Sequence, residues 1–162
     1  MSVRVKTFLS AALFASAQLA ALAAIAGEPE HGSEDDAQEM VREAVDLLRT
    51  QGPERAYDMF TNRPGSTFKD RDLYVIVFDF NGNCLAHGAD PKMVGKRMAA
   101  PADAEGQKLL QGELALVKTK GAGWYGPYNV ANPVTKQSEV KKSYCKRGAG
   151  DTVVCTGVYA GS

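Results

Sequence analysis

The side chains of this 162-residue chain that are equipped for chemistry fall mostly in its second half. Tyr74 and His87 bracket a run of strand-forming residues, Trp124 and Tyr128 stand four apart, and Lys141 and Lys142 come just before Tyr144. These types supply aromatic walls, hydrogen-bond donors and two cations, which is the equipment for holding a small anion. They do not supply covalent catalysis. The chain has no nucleophile elbow, no metal-ligand helix and no phosphate-cradling loop. Gly121-Ala122-Gly123 reads as a helix stop, and Asp70 and Asp72, just before a strand, read as solvated loop carboxylates. The three cysteines, Cys84, Cys145 and Cys155, show no C-x-x-C, no haem-attachment pattern and no zinc-like spacing. The expectation is a binding protein and not an enzyme, with no cofactor and no metal; a haem- or metal-binding sensor is a distant alternative.

Each of these residues also has a purely structural reading. His87 either donates to a bound anion or holds a loop at the end of its strand. Trp124 and Tyr128 alternate onto one face of a predicted strand, as pocket wall or as ordinary core. Alternation puts Lys142 on the face of Tyr144 and Lys141 on the other. Cys145 and Cys155 are directly opposed if Arg147 pairs with Val153 across a five-residue loop, and offset by one across a four-residue loop; the former permits a disulfide. Cys84 is then the free thiol, packed beside Val75 and Val77 as a small hydrophobe. His31 falls in a terminus that reads as disordered.

The start of the chain sets the compartment. Arg4 and Lys6 precede an uncharged apolar run from Phe8 to Ile25, which ends in Ala24-Ile25-Ala26 ahead of Gly27-Glu28-Pro29-Glu30. That is the pattern of a secretory signal peptide over residues 1–26, the alternative being a retained anchor. The predicted mature part, residues 27–162, is periplasmic or secreted, where disulfides form. Of the 19 basic and 19 acidic residues, cleavage removes Arg4 and Lys6 and no acid. A net charge of about −2 gives no footprint for nucleic acid. The length suits one core.

The elements that must position these side chains follow from periodicity. Met40, Ala44, Leu47 and Leu48 mark a helix from Ser33, its N-cap, to about Gln51, and Gly52-Pro53 opens a shorter one through Tyr57 and Phe60. Asn62 to Ser66 reads as loop. Tyr74 to Phe80, Asn81-Gly82 and Asn83 to His87 read as a hairpin with a two-residue type I′ turn, pairing Phe78 with Leu85 and Ile76 with His87. Tyr74, Ile76, Phe78, Leu85 and His87 share one face of it. A helix from Glu105 to Lys118 and strands Trp124–Val130, Glu139–Arg147 and Thr152–Tyr159 complete an α+β layout around a five-stranded antiparallel sheet.

Several short stretches, in order, carry a resemblance. Phe68 to Asp79, Asn81-Gly82, Leu85 to Pro91, Val94-Gly95-Lys96, Gly123-Trp124, Asn132 to Thr135, Lys141 to Tyr144, Lys146-Arg147 and Gly157-Val158-Tyr159 resemble the second type of single Cache domain. The resemblance implies a PAS-like fold, with a long N-terminal helix on one face of the sheet and a ligand pocket on the other. It implies an extracytoplasmic sensory domain, often for small organic acids, with a membrane sensor as a partner, and it selects Lys141 as the pocket lysine. The run after Tyr159 holds no membrane helix, so the expectation is a domain acting without its own signalling module. The competing expectation is a Cache-like interaction subunit that has lost its pocket.

Overall fold

Ser33 starts the first helix by a reciprocal cap: its hydroxyl accepts from the Asp36 amide at 3.2 Å, and the Asp36 carboxylate accepts from the Ser33 amide at 3.0 Å. The computed structural model describes residues 31–100 and 103–160, so the expected signal peptide lies outside the described residues. Helix α1 (Glu34–Gln51) buries Met40, Val41, Ala44, Val45 and Leu48 along one stripe. Gly52, with φ 79°, breaks it, and Pro53 begins α2 (Pro53–Asn62). Where loop is expected, one short helix forms, α3 (Gly65–Phe68). It leads into a two-stranded ribbon, β1 (Lys69–Asp70) against β2 (Leu73–Tyr74). No described helix is long and apolar enough to cross a membrane.

The main sheet is antiparallel and five-stranded. Its strands are β3 (Ile76–Asp79), β4 (Cys84–His87), β5 (Ala122–Ala131), β6 (Ser138–Arg147) and β7 (Thr152–Tyr159), in spatial order β4-β3-β7-β6-β5. Central β7 is buried at every residue, because it has a strand on each side and a layer on each face. On one face lie α1 and α2, packed on Val75, Val77, Ala86, Val154 and Val158. On the other, α4 (Ala104–Lys120) packs Leu110 and Val117 against Phe78, Val153 and the Cys145–Cys155 pair. The fold is the expected α+β sandwich, with the long N-terminal helix covering one face only.

Local expectations are corrected at the hairpin, at Asp72 and at His31. Ile76 pairs with His87 as expected, but the hairpin reaches that register by two compensating irregularities. The Asp79 carboxylate accepts from the amides of Asn81 and Asn83, which fixes a longer turn with positive φ at Gly82 and not at Asn81. A bulge then pairs Phe78 with Cys84 instead of Leu85. Cys84 therefore sits opposite Phe78, and its thiol, pushed up to about 11 by burial, donates to the Ala86 carbonyl.

Asp72 is not a solvated loop carboxylate. It is 1% exposed and accepts from the Gly32 amide, while the Asn132 amide group lies 3.4 Å away. His31 Nδ1 meets the same carboxylate at 2.6 Å, so this histidine is anchored. Burial of a charge without partners is costly, and these contacts are what hold Asp72 beneath the segment that leads into α1.

The last hairpin takes the five-residue loop: Arg147 pairs with Val153 and Cys145 with Cys155. The two sulfurs are bonded, and Cys84 is the free cysteine.

Candidate ligand pocket

Between the sheet and α4 lies a cavity of about 510 Å³, large enough for a small organic molecule. Its walls are aromatic and aliphatic, with Tyr74, Ile76, Phe78, Tyr128 and Leu109 among them. The polar groups that converge on it are few: Lys141 and Ser143 from β6, Glu113 from α4, His87 at the end of β4, and the exposed Asp90 at the rim.

Lys141 is the unusual group. It is 3% exposed, yet Nζ donates only to neutral oxygens, the hydroxyls of Tyr74 at 3.1 Å and Tyr159 at 3.2 Å. The same atom stands 4.3 Å from the Tyr74 ring centroid and 4.5 Å from that of Tyr159, so two aromatic rings flank the ammonium. Among the described residues no carboxylate pairs with it. Its path across β7 depends on Gly157: a Cβ there would fall 2.0 Å from Lys141 Cε.

His87 fills both of its readings. Nδ1 accepts from the amides of Ala89 and Asp90, at 3.3 and 2.9 Å, and so ties down the loop after β4. That leaves the ring proton on Nε2 as a donor. Burial holds the ring down to about 4, with the Lys141 charge pushing the same way, so His87 is neutral at physiological pH. Its ring lies 5.4 Å from that of Tyr74.

Glu113 faces the cavity from the apolar stripe of α4 and is 7% exposed. Burial raises its carboxyl to about 7, opposed by a hydrogen bond from Ser143 and by the charge of Lys141. The Ser143 hydroxyl also bonds Tyr128, whose phenol is pushed up by burial and by Glu113. The Glu113 carboxylate lies within 4.8 Å of the sulfurs of Cys145 and Cys155. Those sulfurs are spent in the disulfide and offer no thiolate to a metal.

Of the seven residues expected to contact ligand, the structure brings Tyr74, His87, Tyr128 and Lys141 to this cavity and puts Trp124, Lys142 and Tyr144 on the opposite face of the sheet. Trp124 and Tyr144 are cross-strand partners with rings 5.3 Å apart, packed toward α1. Lys142 lies over the Trp124 ring and pairs with Glu34 at the start of α1. Lys142 and Tyr144 lie there by plain alternation with Lys141 and Ser143 along β6, and Trp124 is parted from Tyr128 by one extra residue in β5. Tyr125 pairs with Ser143 but Tyr128 with Lys141, three residues against two. Pro127 has no amide to give the ladder, and Gly126 closes on β6, its absent Cβ lying 3.0 Å from Lys142 Cα. The bulge turns Tyr128 away from the Trp124 face. Lys142 shares a face with Tyr144, and Lys141 lies on the other face, against the cavity that Tyr144 does not reach.

Sequence reasoning missed Glu113, Tyr159, Ser143 and Gly157. Glu113 had a signal, since it interrupts an apolar stripe between Leu110 and Val117 at helical spacing. Tyr159 and Gly157 follow from the Cys145–Cys155 register, which sets Lys141 opposite Tyr159 and Ser143 opposite Gly157.

A five-stranded antiparallel sheet with helices on both faces and a polar-tipped cavity under α4 is the architecture of a PAS-like domain. The chain belongs to the family described as Single Cache domain 2, whose sequence model matches residues 16–161. Domains of this family are sensory, extracytoplasmic and ligand-binding. The fold is also that of three solved structures, each matched over 78% of this chain. One, reported as the structural basis for carboxylic acid recognition by a Cache chemosensory domain, is 24% identical over 92% of its own length, with TM-score 0.59. A methyl-accepting chemotaxis protein from Vibrio parahaemolyticus RIMD 2210633 is 16% identical over 88% of its length, with TM-score 0.61. A periplasmic sensor domain of a chemotaxis protein is 19% identical over 89%, with TM-score 0.58. No curated protein is significantly similar to this chain.

Proposed function

We propose that this chain is an exported sensor domain that binds a small carboxylate in the cavity between the sheet and α4, with Lys141 receiving the carboxylate. The observation that carries this reading is a buried ammonium whose hydrogen-bond partners are two tyrosine hydroxyls. A charge taken out of water stays uncompensated until an anion meets it. A carboxylate at Nζ supplies that anion and accepts from the phenols of Tyr74 and Tyr159 in addition. His87 Nε2 and the Tyr74 and Tyr128 rings contact the rest of a ligand of a few carbon atoms. The carboxylic acid recognition described for one similar structure supports the same ligand class. Export with cleavage after Ala26 belongs to the reading, and the Cys145–Cys155 disulfide supports an oxidising compartment. An interaction subunit that had lost its pocket would have no such cavity.

The test is a thermal-shift panel of two- to five-carbon mono- and dicarboxylates, with amino acids and neutral sugars as comparison sets. Ligands that bind only the folded state raise its melting temperature. Stabilisation confined to carboxylates supports the reading. Stabilisation by none of them, or equally by the neutral sugars, overturns it.

A further inference from the structure

Lys141 does not account for all the charge that faces this cavity. Glu113 reaches it from the opposite wall, on α4, and no positive side chain pairs with its carboxylate among the described residues. Around it stand Ser143 and the Cys145–Cys155 disulfide from β6 and β7, Tyr128 from β5, and Lys141 deeper on β6. A bound carboxylate therefore introduces a second negative charge into a space that holds one cation. At low dielectric two anions and one cation are unfavourable, and the group that can relieve this is Glu113.

Building on the carboxylate reading above, we infer that the pocket takes its ligand together with a proton, which Glu113 carries. As an acid Glu113 adds no charge and gains a donor, so it opposes neither Lys141 nor the ligand. His87, Tyr128 and Tyr159 hold their state over the relevant range. His87 is neutral above about pH 6 because its ring titrates near 4. Tyr128 and Tyr159 are pushed up and keep their protons. Asp90 is exposed at the rim, where water screens it. A ligand acid stays ionised above about pH 6. Glu113, raised to about 7, is the group poised to change.

The linkage gives sign and size. Binding that raises the affinity of Glu113 for its proton is favoured at low pH and weakens as pH passes 7. From pH 6.0 to 8.5 the loss approaches ~30-fold if the complex keeps its proton throughout. The test is titration calorimetry of the purified protein with propionate and with lactate at pH 6.0, 7.0 and 8.5, in two buffers of different ionisation enthalpy. Weaker binding at pH 8.5 is expected, with uptake of roughly half a proton at pH 7.0 read from the buffer dependence. Glu113→Gln should bind with the same affinity at all three pH values. Equal parent affinity across the range with no buffer dependence overturns the inference and leaves the carboxylate reading standing. A Glu113→Gln protein that keeps the parent's pH dependence also overturns it. Should that variant fail to fold, the proton count on the parent decides. Absence of binding by either acid at pH 6.0, with no stabilisation by any carboxylate of the thermal-shift panel, refutes both the carboxylate pocket and the proton coupling.

Discussion

Replacing Lys141 with methionine removes the buried cation while keeping most of the side chain's length. Two opposite effects are expected. The ligand loses its charge-assisted hydrogen bond, worth about 1.5–3 kcal/mol, which is roughly ten- to a hundredfold in affinity. The fold should be indifferent or gain. Nζ is nearly fully buried, and desolvating it costs several kcal/mol, of which two neutral hydroxyls and two ring faces return only part. A methionine in the same channel over Gly157 carries no such cost, and the released Tyr74 and Tyr159 hydroxyls already contact each other. Glu113 also loses a neighbouring positive charge, which moves its carboxyl further up and keeps it protonated at neutral pH. The assays are calorimetric titration with propionate at pH 6.0 and a thermal melt without ligand. Affinity within twofold of the parent would refute Lys141 as the carboxylate's partner. A melt lowered by the equivalent of more than about 3 kcal/mol would refute the argument that its charge is uncompensated.

Gly157→Ala should act through Lys141: its new Cβ meets Lys141 Cε, so propionate affinity falls about tenfold or more while a flexible side-chain shift costs the fold about 1 kcal/mol; unchanged affinity would show the lysine has another path. Lys142→Ala is expected to leave propionate affinity within twofold and to cost at most about 1 kcal/mol, because Lys142 pairs with Glu34 in solvent on the far face; a tenfold weaker Kd would contradict its placement on the α1 side of the sheet. Glu113 has a folded-state pKa raised to about 7, so its contribution to stability is present below about pH 4.5 and lost as pH rises through 7. The parent's stability relative to Glu113→Gln should therefore fall by roughly 3 kcal/mol over that window, measured by urea unfolding. Thiol counting on unfolded, unreduced protein should find one reactive group, Cys84, and reduction should lower stability by about 2–3 kcal/mol for a separation of 10 residues; three thiols would exclude the bridge.

What the sequence by itself determined is whatever depends on neighbours along the chain. Ser33 and Asp36 cap α1 because the cap needs only residues three apart. Gly52-Pro53 separates two helices, the apolar stripes assign α1 and α4, and the strand runs assign the sheet. Family-like stretches in order made the fold and its pocket face legible as well.

Tertiary structure decided which side chains meet. A β-strand has period two, so one extra residue exchanges its faces, and the bulge at Gly126-Pro127 sent Trp124 to α1 and Tyr128 to the cavity. No local pattern distinguishes a proline that ends a strand from one that bulges it. Asp72 looked like any loop carboxylate until His31, Gly32 and Asn132 converged on it from 40 to 60 residues away. Glu113 is one glutamate among many on a helix surface until the helix docks and water leaves. Burial then raises its carboxyl toward neutrality and sets it across a cavity from a lysine that has no carboxylate of its own. Desolvation is a property of the packed whole, which is why the charges that matter most in this pocket could be placed only once the chain had closed around them.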